Sequence, residues 1–271
     1  MHTDLRLYLT LWIVASLVMH AAWLLQKRTR NAGLVDVLWA GGIGVSAVVL
    51  AVGLDGWEPR RLLVGALGLL WSARLSWHLW TRFRGEAEDG RYADLRSEWG
   101  ERFERNLMVF HQVQAAWIVM FASAFWAGMS SSVETWLWTD LCGLALALVA
   151  MLGEGVADRQ LARWRRDQAN RGKTCRAGLW RYSRHPNYFF EWTYWLSMPV
   201  IALPHEHGWL ACLTPALLFF LITKVTGIPP TEERSLRSRG EDYRAYQRTT
   251  NAFFPGPVKA DPHAIPTTEA R

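Results

Sequence analysis

The chain has 271 residues, of which 51% are hydrophobic and 20% are charged, and it contains 17 tryptophans. The mean hydropathy of −0.01 is an average over two kinds of segment, because nearly uncharged stretches of bilayer length alternate with charged segments. This alternation argues against a soluble helical protein and predicts an integral membrane protein. The cysteines Cys142, Cys175 and Cys212 are dispersed, so they indicate neither a disulfide framework nor a metal site.

Seven windows approach the length of roughly 20 mostly apolar residues that a spanning helix needs. They are residues 7–25, 34–54, 62–79, 108–128, 136–157, 188–203 and 209–226. The first window lacks the basic start and the cleavage site of a signal peptide, so it is predicted to be a true span. Arg74 and His78 interrupt the third window, and the sixth is short. The predicted fold is therefore all-α, with about seven transmembrane helices in one domain over residues 1–255.

Lysine and arginine concentrate in the connections after the first, third and fifth windows, and the opposite connections hold few of them. The positive-inside rule then predicts an external N-terminus and a cytosolic C-terminus. We expect the three long cytosolic segments to cap one mouth of the bundle. This asymmetry accounts for most of the net charge of +6, so no nucleic-acid partner is indicated. The proline-rich stretch 256–271 is predicted to be a disordered cytosolic tail.

Residues 178–191 form a polar motif, Gly-Leu-Trp-Arg-Tyr-Ser-Arg-His-Pro-Asn-Tyr-Phe-Phe-Glu, at the start of an apolar helix. Pro186 fits the first helical position, where its missing N–H costs nothing. The free amides of that first turn, with Arg184 and His185 beside them, predict an anion site.

Asn187 and Glu191 recur at helical spacing on one face of that helix, together with Tyr194 or Trp195. Asn187 carries both a donor and an acceptor, which suits a ligand with a carboxamide group. In the alternative interpretation, Asn187 and Glu191 only form hydrogen bonds with polar groups of neighbouring helices.

The segment 158–167 continues the fifth window as a basic helix. Its arginines predict a phosphate clamp, because planar guanidinium groups bind phosphate oxygens in pairs. A collar that meets anionic lipid head groups is the alternative. The helical spacing puts Asp158 and Arg165 on one face, and Arg159, Arg163 and Arg166 on the neighbouring one.

Three ionisable residues, Asp36, Arg74 and His78, fall inside predicted spans, where such groups are costly and mark functional sites. A purely structural ion pair between Asp36 and Arg74 is the alternative to a catalytic role. Gly41, Gly42 and Gly44 follow no strand, so they predict close helix packing and not a nucleotide-binding loop.

The motif 178–191 resembles the C-terminal signature of the steroid 5α-reductase superfamily, and in particular its bacterial branch of uncharacterised membrane proteins. Segments 35–39, 88–92 and 243–255 are similar to the same branch. The resemblance implies a seven-helix reductase of the bacterial inner membrane. Its members take NADPH from the cytosol and reduce a carbon–carbon double bond conjugated to a carbonyl, here in a lipophilic substrate from the bilayer. Membrane lipids are the other expected partners, and NADH is a possible donor.

The resemblance also assigns roles to individual residues. It places Asp158, Arg165 and Asn187 at the nucleotide, within a C-terminal half (140–255) that carries the cofactor signature. It implies Asp36 as a catalytic carboxylate, although the steroid enzymes pair that group with a tyrosine on the third helix and residues 72–78 contain none. The expected catalytic set is Asp36, Arg74, His78 and Glu191. The expected cofactor-binding set is Asp158, Arg165, Arg181, Tyr182, Arg184, His185, Asn187 and Tyr188.

The element from His185 to Tyr188 is also similar to membrane methyltransferases that act on prenylated cysteine or phospholipid head groups. These enzymes use S-adenosylmethionine, which contains no phosphate. The many arginines favour the dinucleotide, so the reductase is the first hypothesis and the methyltransferase the alternative. A third hypothesis is a non-catalytic scaffold whose polar cluster binds lipid head groups.

Overall fold

This computed structural model describes residues 2–85 and 90–261, so Glu88 and Asp89 of the family-like segment 88–92 lie outside the described residues. Within those ranges the chain is helical and contains no strand. The α-helices of the described residues are α1 (His2–Thr29), α2 (Leu34–Gly53), α3 (Glu58–Gly85), α4 (Gly90–Trp99), α5 (Phe103–Met129), α6 (Trp138–Arg166), α7 (Pro186–Ala202), α8 (Leu213–Phe220), α9 (Ile228–Arg239) and α10 (Glu241–Thr249).

The long helices match the predicted membrane spans. In the described residues, six helical segments are long and apolar enough to cross a membrane: Asp4–Thr29, Leu34–Gly53, Glu58–Arg84, Gly90–Met129, Trp138–Arg166 and Gly208–Arg239. The sixth predicted window forms α7, which has 17 residues and is shorter than these segments. The prediction of an all-α integral membrane protein with about seven helices is confirmed.

The chain divides into two compact units. Unit 1 contains Met1–Gly143 and Met198–Thr214, and unit 2 contains Leu144–Ser197 and Pro215–Arg271. The first residues of the predicted tail take part in unit 2, because Gly256 N donates to Tyr182 O (3.0 Å) and Lys259 N to Thr249 O (2.8 Å). Residues 262–271 lie outside the described residues.

In unit 1, glycines let α2 approach its neighbours closely. A side chain at Gly44 would overlap Ser72 of α3, and a Cβ at Gly42 would lie 2.7 Å from Ile118 Cδ1 of α5. The close approach allows Ser72 Oγ to donate to the carbonyl oxygen of Ala40 at 2.7 Å. Gly42 and Gly44 therefore serve helix packing.

A buried ion pair fixes the other end of α3 in unit 1. The side chains of Arg60 and Asp140 are 1% and 0% exposed, and Arg60 Nε lies 2.9 Å from Asp140 Oδ1. Arg60 also donates to the carbonyl oxygens of Val133 and Thr135, both at 2.7 Å. Because these bonds satisfy the guanidinium in several directions, the pair secures the loop before α6.

In unit 2, the polar motif is attached to the last three turns of α6. Leu179 N donates to Gln160 Oε1 and Trp180 Nε1 donates to Ala157 O, both at 2.9 Å. Gly178 adopts a φ of +60°, a conformation that favours glycine, and this turns the chain toward α7. A cluster of aromatic rings holds the segment after α10 against α7 and α8: Phe189, Trp192, Phe219, Phe253 and Phe254.

The Arg60–Asp140 pair yields a stability prediction. Asp140→Asn leaves a buried guanidinium without its counter-charge, so it should lower the free energy of unfolding by about 3–5 kcal/mol. Thermal unfolding of the purified protein in detergent measures the loss. The double variant Arg60→Met/Asp140→Leu removes both charges and should recover most of that stability. A double variant no more stable than Asp140→Asn would contradict this account.

Candidate functional site

The start of α7 has the local structure that its sequence predicts. Pro186 is the first residue of the helix. Ser183 Oγ accepts a hydrogen bond from His185 N (3.1 Å) and donates to Phe253 O (2.8 Å). Asn187 Oδ1 accepts from Tyr188 N at 3.0 Å. The side chains of the motif therefore take up some of the amides that were expected to bind an anion.

Glu232 of α9 organises the polar motif. Its Oε1 lies 2.6 Å from Arg184 Nε, 3.2 Å from His185 Nε2 and 3.3 Å from the Tyr243 hydroxyl. Its Oε2 accepts from Gln247 Nε2 at 2.8 Å. The side chains of Arg184 and Glu232 are only 10% and 14% exposed. This internal carboxylate neutralises Arg184. The positive charge of that arginine is therefore less available to a phosphate than its sequence position predicts.

Burial decides the protonation states around this carboxylate. Burial lowers the pKa of His185, and the hydrogen bond and negative charge of Glu232 oppose the shift. His185 is therefore neutral at pH 7. Burial, together with the charge of Glu232, raises the pKa of Tyr243 to about 12. The network thus contains one cation, one anion and neutral donors.

Arg184 also joins the motif to the end of α10. Its Nη1 donates to Thr250 O (2.5 Å) and Gln247 O (3.1 Å), and its backbone N–H donates to Asn251 O (2.9 Å). The hydroxyl of Tyr246 adds bonds from α10 to the carbonyl oxygens of Trp180 and Ser183. The position of the motif therefore depends on residues about 60 positions later in the chain.

The structure brings Asp158 and Asn187 together. Asn187 Nδ2 donates to Asp158 Oδ1 at 3.3 Å, and both residues are half-buried. One N–H of Asn187 and one lone pair of its Oδ1 are available within the described part of the chain. Arg165 and Arg181 are exposed, and Arg165 interacts with neighbouring groups.

The remaining predicted residues of unit 2 have contacts of their own. Glu191 Oε1 accepts from Trp195 Nε1 at 3.1 Å, one turn later on α7. The ring of Tyr188 stacks on His185 with centroids 5.4 Å apart, and its hydroxyl lies 3.3 Å from Thr231 Oγ1. The side chain of Tyr182 is 47% exposed.

In unit 1, Asp36 is held by two consecutive residues of α4. Asp36 Oδ2 lies 2.7 Å from Arg91 Nη2, and Asp36 Oδ1 accepts from the Tyr92 hydroxyl at 2.9 Å. The Tyr92 side chain is buried and packs against Phe110 of α5. The predicted carboxylate thus has a tyrosine partner, supplied by α4 and not by the third helix.

The other predicted catalytic residues of unit 1 lie on α3. Arg74 is half-buried and interacts with neighbouring groups, and His78 is exposed. On α5, His111 is 1% exposed, and its Nδ1 lies 2.8 Å from Leu107 O. The Asp36–Arg74 pair stays a prediction.

Sequence reasoning gave no role to three residues that the geometry makes central: Arg91, Tyr92 and Glu232. The resemblance of segment 88–92 to the family is a signal that could have identified Tyr92. Glu232 had no such signal. It sits among charged residues of α9, and its contacts with Arg184, His185, Tyr243 and Gln247 distinguish it from its exposed neighbour Glu233.

Comparison with known proteins identifies a family. The model of the family DUF1295, described as a protein of unknown function, matches residues 22–250. This family is related to steroid 5α-reductase-like proteins. An uncharacterised protein of the fission yeast Schizosaccharomyces pombe is 25% identical over 263 residues, covering 86% of this chain and 75% of the relative. No solved structure matches.

The position of Glu232 yields a prediction with a control at the next residue. Glu232→Gln leaves Arg184, whose side chain is 10% exposed, without its counter-charge and should cost about 3 kcal/mol of stability. Glu233→Gln removes one partner of an exposed pair with Arg237, which is worth about 1 kcal/mol or less. Thermal unfolding of the two variants measures the difference. Equal stability of the two variants would show that Glu232 does not organise the motif.

Proposed function

Because the chain belongs to the DUF1295 family, which is related to steroid 5α-reductase-like proteins, we propose that it is a membrane-embedded NADPH-dependent reductase. Its proposed reaction is the reduction of a carbon–carbon double bond conjugated to a carbonyl in a lipophilic enone of steroid-like, isoprenoid or fatty type. NADH is a second possible donor. The family relation supports the reaction class, and both units contain residues whose chemistry suits it.

The contact between Asn187 and Asp158 carries the proposal. The resemblance assigns both residues to the nucleotide, although they are separated by 29 positions in the sequence. Two bonds from the chain fix the Asn187 amide, one to Asp158 and one from Tyr188 N. The orientation that results leaves one donor and one acceptor, the pair that a nicotinamide carboxamide requires.

The donor set of unit 2 fits a dinucleotide. Exposed arginines on and after α6 suit phosphate oxygens: Arg159, Arg163, Arg165, Arg166 and Arg181. When bound, a reduced nicotinamide supplies a hydride to the β-carbon of the enone. The residues that would hold it are Asn187 and Asp158, with Arg165 and Arg181 for the phosphates.

The residues of unit 1 support the acid half of the reaction. Transfer of a hydride to an enone puts negative charge on the carbonyl oxygen, and a proton must reach the α-carbon. A substrate carbonyl oxygen can accept a hydrogen bond from the Tyr92 hydroxyl once that hydroxyl turns away from Asp36, and the charge of Arg91 stabilises the oxyanion. Positioned acid catalysis of this kind contributes about 10²–10⁴-fold.

A methyltransferase that uses S-adenosylmethionine is the second candidate, and one observation favours it. Glu232 neutralises Arg184, so the start of α7 presents less positive charge than the sequence predicts. A methyl donor without phosphate has less need of that charge. The exposed arginines of α6 favour the dinucleotide instead, because they suit its phosphates.

The location in the membrane is also part of the proposal. The basic segments after α1, α3 and α6 support an external N-terminus and a cytosolic C-terminus. That orientation would give the nucleotide-binding residues of unit 2 access to cytosolic NADPH. We retain the bacterial inner membrane as the proposed membrane, from the resemblance to the bacterial branch.

Nucleotide titration separates the candidates. At a hundred times its dissociation constant, NADPH should raise the stability of the purified protein by about 2.7 kcal/mol, and S-adenosylmethionine should not. Asn187→Ala should weaken NADPH binding about tenfold or more, because it removes the oriented amide. Arg171→Ala removes another exposed arginine and should leave affinity nearly unchanged. Stabilisation by the methyl donor alone would discard the reductase.

Tyr92→Phe tests the acid. It keeps the buried ring but removes the hydroxyl that donates to Asp36, so turnover should fall about 10²–10⁴-fold. The assay follows NADPH oxidation with the enone that the wild-type protein reduces fastest in a panel of steroid and isoprenoid enones. Nucleotide-induced stabilisation should be unchanged, because the proposal assigns the Tyr92 hydroxyl to the enone and not to the nucleotide. A Tyr92→Phe variant with wild-type turnover would exclude this hydroxyl from the reaction.

A further inference from the structure

The segment that follows α10, residues 250–261, lies along the polar motif in unit 2 and is bonded to it. Ser183 Oγ donates to Phe253 O at 2.8 Å, and Gly256 N donates to Tyr182 O at 3.0 Å. The segment therefore follows a defined path, although its proline-rich part is predicted from composition to be disordered.

Two adjacent phenylalanines of this segment contact helices that were predicted to span the membrane. The ring of the buried Phe253 lies 5.7 Å from that of Trp192 on α7 and 5.3 Å from that of Phe219 on α8. The Phe254 ring contacts the same two residues, with centroids 5.8 and 6.0 Å apart. Trp192 belongs to the first two turns of α7. Phe254 therefore reaches the level of these turns, beyond the polar motif in the direction of the membrane.

The Phe254 side chain is not covered by the described part of the chain. It is 51% exposed, and the side chain of Val258, four residues later, is 45% exposed. Phe220 of α8, the neighbour of Phe219 in the chain, is also exposed. Large apolar side chains at the edge of spanning helices suit the interfacial layer of a bilayer, where lipid covers them.

The backbone of the segment suits the same environment. Pro255 and Pro257 have no N–H group, and the N–H of Gly256 between them donates to Tyr182 O. Three successive positions therefore present no free donor. Free donors are costly where water is scarce, so this stretch can approach the acyl chains at low cost.

Lys259 provides a positive charge at the end of the apolar stretch. Its side chain is exposed, and its backbone N–H donates to Thr249 O at 2.8 Å. No acidic residue occurs from Thr249 to Ala260, and Asp261 is paired with Arg248 at 2.9 Å. The exposed charge of the segment is therefore positive and complements lipid phosphates. A lysine beside apolar residues can extend its ammonium group to the head groups.

We propose that residues 252–259 form an interfacial membrane anchor, on the side of the bilayer at which α7 begins. Phe254 and Val258 lie at the boundary between head groups and acyl chains, and Lys259 binds lipid phosphates. Because the polar motif is bonded to this segment, the lipid contact also helps to hold the motif in place. The inference concerns lipid binding alone and does not depend on the proposed reduction.

Spin labels measure the position of the anchor. Phe254→Cys and Val258→Cys are labelled one at a time, in a background whose two exposed cysteines are replaced by serine; the remaining Cys175 is buried. In nanodiscs, oxygen should relax both labels several times more strongly than a neutral nickel chelate, because oxygen concentrates among acyl chains and the polar chelate stays in water. A label at the exposed Arg237 of α9 is the control and should show the reverse order.

Two results of the labelling experiment would overturn the proposal. Stronger relaxation by the nickel chelate at either anchor position would place the segment in water. Weak relaxation by both agents would mean that residues 262–271 of this chain, and not lipid, cover the two side chains.

Lys259→Gln tests the phosphate contact in protein labelled at Val258→Cys. In phosphatidylglycerol nanodiscs the loss of one cation should raise the water-exposed fraction of the label about fivefold, because one lysine near an anionic surface contributes about that factor to binding. Arg237→Gln removes an exposed cation of α9 and should leave the fraction unchanged. Equal effects of the two substitutions would overturn the assignment of lipid phosphates to Lys259.

Discussion

The ion pair between Arg184 and Glu232 is the interaction on which unit 2 depends. It joins the polar motif before α7 to α9, and the other bonds of Arg184 extend the connection to the end of α10. A guanidinium that is 10% exposed needs a carboxylate and several carbonyl oxygens, because each unsatisfied N–H would be costly. Arg184 is therefore engaged within the chain, and the proposed nucleotide site is assigned to Asn187 and Asp158 instead.

In unit 1, too, a buried charged group needs a counter-charge and further hydrogen bonds. The buried pair of Arg60 and Asp140 fixes a loop, and Arg60 satisfies carbonyl oxygens as well as its counter-charge. Asp36 is held in a comparable way by Arg91 and Tyr92, but these partners include a hydroxyl that can take part in proton transfer. The proposed reaction uses Asp36 for this reason, whereas the Asp140 carboxylate only stabilises the fold.

Whether a feature of the site could be predicted depends on how far apart in the sequence the interacting residues are. The first turn of α7 followed from Pro186 and its neighbours, because helix starts are set by local residues. The packing roles of Gly42 and Gly44 followed in the same way from their place in an apolar span. The partner of Arg184 could not be predicted, since Glu232 is 48 positions away in a segment with several other charges.

The sequence by itself determined the membrane class, the approximate number and positions of the long helices, and the polar motif before α7. These features depend on local composition and on periodicity, which each segment carries alone. Only the tertiary structure decided that Glu232 neutralises Arg184 and that a tyrosine from α4 meets Asp36. Such pairings are made between segments distant in the chain, and composition within a segment contains no information about its partner.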